Sequence, residues 1–382
     1  MKMMRRYLLL AATVTMVVAC SNEAFEDASG YIPSTVAIGF DVTETSGLTR
    51  ANNEITGTDV FKDGGAYVSQ GFGVFASYTG RLKYDYTTVS PDFMYNQQVK
   101  WINGAWGYTP LKYWPNNDDE YVSFFAYAPY EASPNGSKCI AEFSPTDELG
   151  DPWLIYMIAQ DPWSNTNGQV DLLYGVNHEG TPADYPWYNQ NKSDYDYDDL
   201  LKFTFKHALA CIGDKITIKL SSELNTRISG YATIKLNKLS IDYTNLTSKA
   251  RLVLNSKNTP NWKPIVSGDI TTTRTYTKEF VTPLTLNTSE QEISTGDGLL
   301  YIPLQVLSGK QQAVITIYYT VTVTNGSTTY DGEASSTVIL SEIVGKKEGL
   351  ALSLTKDLDL AHLVYDIDNS SQATEPSYAR KF

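Results

Sequence analysis

The sequence predicts an all-β protein, and three observations predict it. Short segments alternate apolar and polar side chains with a period of two, the pattern of strands with one buried face. No segment sustains a long 3.6-residue period and no strand–helix–strand alternation runs through the chain, so the strands are those of a sandwich or barrel. Its 27 tyrosines and many threonines, against only 30 lysines and arginines in 382 residues, suit strands better than helices. The length suggests two domains.

The chain opens with a basic start (Lys2, Arg5, Arg6), an apolar run over residues 7–18, and Ala19-Cys20. A basic start, a short apolar stretch and a small residue before the cut describe a secretory signal. At about a dozen residues the apolar run is too short for a permanent span. Val17-Val18-Ala19-Cys20 resembles a bacterial lipobox, which makes residues 1–19 the signal peptide and Cys20 the lipidation site. The alternative is a plain signal peptide with a chance cysteine. Residues 21–33 are polar and read as a tether. Glu23, Glu26 and Asp27 there are either a solvated linker or a patch similar to the surface-export signal of Bacteroidota lipoproteins.

Residues 35–42 predict the first strand: Val36, Ile38, Phe40 and Val42 share one face, and Thr35, Ala37, Gly39 and Asp41 the other. A polar stretch over residues 43–49 follows, then Arg50-Ala51. An arginine in such a stretch is open to an Arg-specific protease, or it belongs to an uncut loop between strands.

From residue 51 to about 200 the chain predicts short strands between long aromatic loops, with strands at 67–78, 121–129 and 170–176. Turn signals at residues 115–118 and 134–136 separate them. Beyond residue 200 the strands are cleaner: 201–218, 231–242, 251–254, 299–306, 313–324 and 328–340. Asn325-Gly326 predicts a hairpin between the last two. The shift after the acidic stretch 194–199 sets a boundary between domains at 51–200 and 201–382.

Net charge excludes some partners. It is −13, and −16 once Lys2, Arg5 and Arg6 leave with the signal. An acidic chain without a basic patch predicts no nucleic-acid partner. Cys139 and Cys211 either pair in an oxidising envelope or remain two thiols.

Several segments together resemble the fimbrillins, the Mfa-like and FimA-like lipoprotein subunits of type V pili in Bacteroidales. They are the lipobox, the Thr49-Arg50-Ala51 junction, Lys112-Tyr113-Trp114-Pro115 with the strand at 122–129, Asp171-Leu172-Leu173-Tyr174, and FTFKHAL at 203–209. The resemblance implies two transthyretin-like β-sandwich domains in tandem. It implies outer-membrane lipid anchoring through Cys20, then cleavage after Arg50 by an Arg-specific protease. Residues 20–50 would be the propeptide, with Val36, Ile38, Phe40 and Val42 as a removable plug strand. Other pilin subunits would be the partners, by strand exchange, with host or bacterial surface ligands for the finished fimbria. A donor strand is expected near the C-terminus, the alternative being that the segments there simply finish the C-terminal sandwich. Leu350, Leu352 and Leu354 share one face of the first candidate, and residues 358–367 form the second. A donor supplies main-chain hydrogen bonds along the edge and alternate side chains into the groove.

No residues predict an enzyme, a cofactor or a metal site. GxSxG, HExxH, CxxC and Walker motifs are absent from the sequence. Residues 71–76 fit G-x-G-x-x-A but lack a following helix, so they read as a glycine-bearing strand. His178, His207 and His362 lie in unrelated segments, with His207 read as structural. Asp194, Asp196 and Asp198 alternate like a calcium loop, but Asp199 and Phe205 stand where that loop needs Gly and Glu. Trp101, Trp106, Trp114, Trp153, Trp163 and Trp187 either fill the first core or form a sugar platform. The sugar platform is the alternative function, a glycan-binding surface lipoprotein that stays monomeric.

Overall fold

The structure, a computed structural model, describes residues 30–43, 58–134, 139–157, 170–177, 185–194, 199–212, 217–220, 222–244, 249–257, 259–265, 274–289, 291–292, 300–303, 312–339 and 358–359. In chain order the strands are β1 (Pro33–Ala37), β2 (Phe40–Thr43), β3 (Phe72–Gly80), β4 (Met94–Ile102), β5 (Ala105–Gly107), β6 (Tyr113–Pro115), β7 (Tyr121–Ala128) and β8 (Ile140–Phe143). Next come β9 (Trp153–Met157), β10 (Leu173–Asn177), β11 (Trp187–Gln190), β12 (Leu201–His207), β13 (Leu209–Ile212) and β14 (Thr217–Lys219). A short helix α1 (Ser222–Ile228) leads to β15 (Ala232–Thr244), β16 (Lys249–Val253), β17 (Asn261–Pro264) and β18 (Arg274–Thr285). The last are β19 (Gln291–Glu292), β20 (Leu300–Pro303), β21 (Gln312–Asn325), β22 (Thr328–Ile339) and β23 (Leu358–Asp359). The fold is all-β, as the alternation predicts.

An eight-stranded sheet organises the first half. Its order is β2-β12-β10-β7-β3-β4-β5, and β11 also pairs with β7. Every pairing in it is antiparallel except β2 on β12. Both faces of its centre are covered. Val122, Phe124 and Ala126 of β7 enter one apolar cluster with Phe40, Phe72 and Phe203. Phe125 and Tyr127 enter a second, with Leu154, Tyr156, Leu252 and Trp262. That is why YVSFFAYA reads as a continuous apolar run: a strand buried on both faces has no polar side to show. The second cluster is roofed by the sheet β17-β16-β9-β8.

Farther along, β18-β15-β21-β22 form a four-stranded antiparallel sheet. Asn325 pairs with Thr328, so Gly326-Ser327 is the two-residue turn expected there, with Gly326 at φ +63°. Smaller sheets pair β13 with β20, and β14 with β19 and β23.

Four expectations are corrected. The strand expected from residue 67 begins at Phe72, because residues 67–71 close turns in which the Gln70 and Gly71 amides donate to the Tyr67 carbonyl. Gly71, at φ +61°, ends that turn. The run 201–218 divides into β12, β13 and β14, each in a different sheet, and Ala208 turns away where its amide donates to the Leu172 carbonyl. The strand expected over 35–42 is two strands, β1 and β2. Finally, the sheets do not divide after residue 200: β12 belongs to the eight-stranded sheet, and β16 pairs with β9. The composition shift marks a change from loops to strands.

Candidate functional site: the seat of residues 31–43

Residues 31–43 cross between two sheet edges. β1 lies antiparallel to β6, with Pro33 opposite Pro115 and Ala37 opposite Tyr113. The Asn116 amide donates to the Ile32 carbonyl at 2.8 Å, and the Ile38 amide donates to the Lys112 carbonyl at 2.9 Å. At Gly39 the chain changes partner: its carbonyl accepts from the Leu201 amide at 3.0 Å. β2 then runs parallel to β12, Phe40 to Thr43 opposite Leu201 to Thr204. The Thr43 and Thr204 hydroxyls close the far end at 2.9 Å.

The apolar face of this segment is core. Ile38, Phe40 and Val42 are buried, and Val36 is half-buried against the same cluster. Burying the first three contributes roughly 5–9 kcal/mol before the cost of ordering the chain. Phe40 sits among four rings: Phe72 at 6.5 Å, Tyr108 at 5.5 Å, Phe124 at 5.8 Å, and Phe203 stacked at 6.0 Å between centroids. Asp41 lies on the other face and caps the Val42 amide at 2.8 Å.

Two tyrosine hydroxyls hold the segment, one at its start and one at its middle. The Tyr31 hydroxyl donates to the Tyr113 carbonyl at 2.6 Å, and the Tyr108 hydroxyl donates to the Ile38 carbonyl at 2.7 Å. The Tyr31 ring stands edge-on to Tyr78 and Phe93. Burial pushes the Tyr31 phenol up to about 12. Burial also raises Tyr108, opposed by the Lys112 amide, which donates to its oxygen at 3.3 Å. Sequence reasoning missed both residues. Their partners are 82 and 70 positions away, so no local pattern announces them.

These shifts predict an alkaline transition. A free phenol ionises near pH ~10, so above that the unfolded chain releases protons that the folded chain retains. Stability is therefore full below about pH 10 and falls as pH rises through the Tyr31 value of about 12. Tyr84, Tyr127 and Tyr188, also raised chiefly by burial, act in the same direction. A tyrosinate-absorbance titration should lag behind that of the urea-unfolded chain, with thermal stability dropping across this window. Coincident titrations with unchanged stability would contradict it.

Of the other residues singled out, Cys20, Arg50, Ala51, Leu350, Leu352 and Leu354 lie outside the described residues. So do His178, His362, Trp163, Asp196 and Asp198. Leu358 and Asp359, which begin the second donor candidate, pair in parallel with Ile218 and Lys219. Trp114, Trp153 and Trp187 are buried. Trp101 and Trp106 meet edge-to-face at 5.5 Å, and Trp101 is already engaged by the Asp63 carboxylate and the Lys62 ammonium. His207 is buried at the end of β12, its Nδ1 2.9 Å from the buried Asp171 carboxylate. That contact joins the DLLY and FKHAL segments, which are neighbouring strands. Cys139 is a buried thiol whose pKa burial raises; the Cys211 side chain lies outside the described residues. No group of His, Cys, Asp and Glu able to hold a metal is present among the described residues. The seat holds an extended strand.

The sequence model of a fimbrillin-like family matches residues 49–364. The chain belongs to the fimbrillin-like family. Among curated relatives, this fimbrillin is similar to fimbrium subunit Fim1C of Phocaeicola vulgatus, 29% identical over 247 residues. That stretch covers 64% of this chain and 58% of the relative, so it spans under two thirds of the relative's length. Among solved structures, the fimbrillin fold is similar to that of a fimbrial protein from Bacteroides vulgatus. The TM-score is 0.58 at 20% identity, over 80% of this chain and 90% of that one.

Proposed function

We propose that this fimbrillin is a structural or accessory subunit of a cell-surface fimbria that supports adhesion, with no enzymatic role. It is exported as a lipoprotein through Cys20, carried to the outer membrane and cut after Arg50 by an Arg-specific protease. Residues 31–43 then leave their seat, and a strand of another pilin subunit refills it. Family membership supports the fimbrial role and a fimbrial location at the cell surface. The name of the Phocaeicola vulgatus relative points the same way.

One observation carries the strand-exchange step. The segment supplies two edge strands, β1 and β2, whose apolar face completes the core. Among the described residues, its hydrogen bonds outside the segment itself go to residues 70 or more positions away. Its departure bares the Leu201–Thr204 edge of β12 and an apolar groove, an unpaired edge that an incoming strand can complete.

Purified, uncut protein should be monomeric, and limited treatment with an Arg-specific protease should convert it into SDS-resistant ladders. Uncut and cut protein of the same oligomeric state would overturn the strand-exchange role.

A further inference from the structure

The roof sheet β17-β16-β9-β8 has an outer face that the second apolar cluster does not use. Its inner face is core: Leu154 and Tyr156 of β9, Ala250 and Leu252 of β16, and Trp262 of β17 enter that cluster. Successive strand residues point to opposite faces, so Lys249, Arg251 and Val253 of β16 point outward, with Asn261 and Lys263 of β17. Arg251 stands directly opposite Lys263, and Lys249 lies two positions along the same strand. Three cations therefore gather on one face of a chain whose net charge is −13. No basic run in the sequence announces them; the pairing of β16 with β17 brings them together.

Like charges directly opposite in a sheet destabilise it, and the nearby carboxylates do not relieve this pair. Glu142 lies on the same face opposite Ile155, and Glu148 accepts from the Trp153 indole N–H at 3.3 Å. Among the described residues, neither carboxylate is paired with Arg251 or Lys263. The Arg251 guanidinium instead lies 4.0 Å over the Trp153 ring, a stack that fixes its plane. Its buried Nε meets no acceptor among the described residues. Lys263 is exposed and Arg251 half-buried, so solvent reaches both.

The charge balance narrows the ligand. A long polyanion, an anionic membrane and a second copy of this acidic chain are all repelled by the net charge. A neutral molecule carrying one acid group is not. The planar fork of Arg251 matches a carboxylate in a bidentate pair. On the same face Val253 offers apolar surface, and opposite it stands Asn261, whose amide is fixed by Asn255 at 2.7 Å. Apolar surface beside an amide suits the C–H face and hydroxyls of a sugar.

We propose that the outer face of the roof sheet binds a carboxylated sugar of the uronic-acid class, with its carboxylate held between Arg251 and Lys263. This rests on the adhesive part of the function proposed above, but on neither the cut after Arg50 nor polymer. Its failure and the failure of strand exchange are therefore told apart.

The test is ligand-observed NMR on the purified, uncut chain, with methyl glucuronide, methyl glucoside and inorganic sulfate as probes. The glucuronide should bind, and the neutral glucoside at least about tenfold more weakly, the loss of one charge-assisted pair. Arg251→Gln should weaken glucuronide binding about tenfold for the same reason. Arg251→Lys, which keeps the charge and loses the fork, should fall between it and wild type. Lys263→Gln, at an exposed position where folding is not at risk, should weaken binding severalfold. Three results overturn the proposal: no glucuronide binding, a glucoside that binds equally well, or binding unchanged in both Arg251→Gln and Lys263→Gln. Sulfate as tight as the glucuronide also overturns it, because the face would then hold any compact anion and no sugar in particular.

Discussion

Phe40→Ala in the uncut chain is expected to lower stability by about 3–5 kcal/mol. The side chain is 2% exposed and central to a ring cluster drawn from β3, β7, β12 and Tyr108. These strands hold their positions through their own ladders, so the site cannot collapse around alanine and a cavity remains. Phe40 also lies at the point where the segment has just changed hydrogen-bonding partner from Lys112 to Leu201. A weakened ring contact there loosens β2 from the edge of the sheet. Denaturant unfolding of the uncut protein measures the loss. Polymer assembled after the cut lacks residue 40, so its resistance to SDS should match that of wild type. A change under about 0.5 kcal/mol in the uncut chain, as surface substitutions give, would contradict the burial described here.

Arg50→Ala is expected to abolish assembly and leave folding alone. Arg50 follows the last described residue of the segment by seven positions, in a stretch rich in Thr, Ser and Gly. The segment itself is bonded at both ends, by Tyr31 and by Thr43. Without a cut, the segment remains tethered beside its seat at high effective concentration, and an incoming strand competes with an intramolecular rival. The variant should be a monomer with wild-type thermal stability and no SDS-resistant ladder. Undiminished assembly would remove the cleavage trigger from the mechanism.

The central residues of the seat were legible because they obey the simplest rule. Val36, Ile38, Phe40 and Val42 alternate, and the structure turns that face to the core. The crossing at Ile38–Gly39 was not legible. Side-chain alternation continues through it unchanged, while the backbone exchanges β6 for β12. β4 escaped notice because only Met94 and Val99 of its nine residues are buried, with polar Gln97 and Gln98 between them. β18 was missed for a related reason: it lies at the edge of its sheet and exposes residues such as Val281. The pairing of β16 with β9 joins residues about a hundred positions apart, and no local signal encodes that. Of the tryptophans, sequence alone left core and sugar platform both open; burial assigns Trp114, Trp153 and Trp187 to the core.

The measurement that tests the central claim most directly is the N-terminus and intact mass of the subunit taken from polymer on its native outer membrane. A start at Ala51, with residues 31–43 absent from the assembled subunit, is the predicted result. A polymerised subunit that still begins at a lipidated Cys20 would contradict it, because its seat would still be occupied by its own strand.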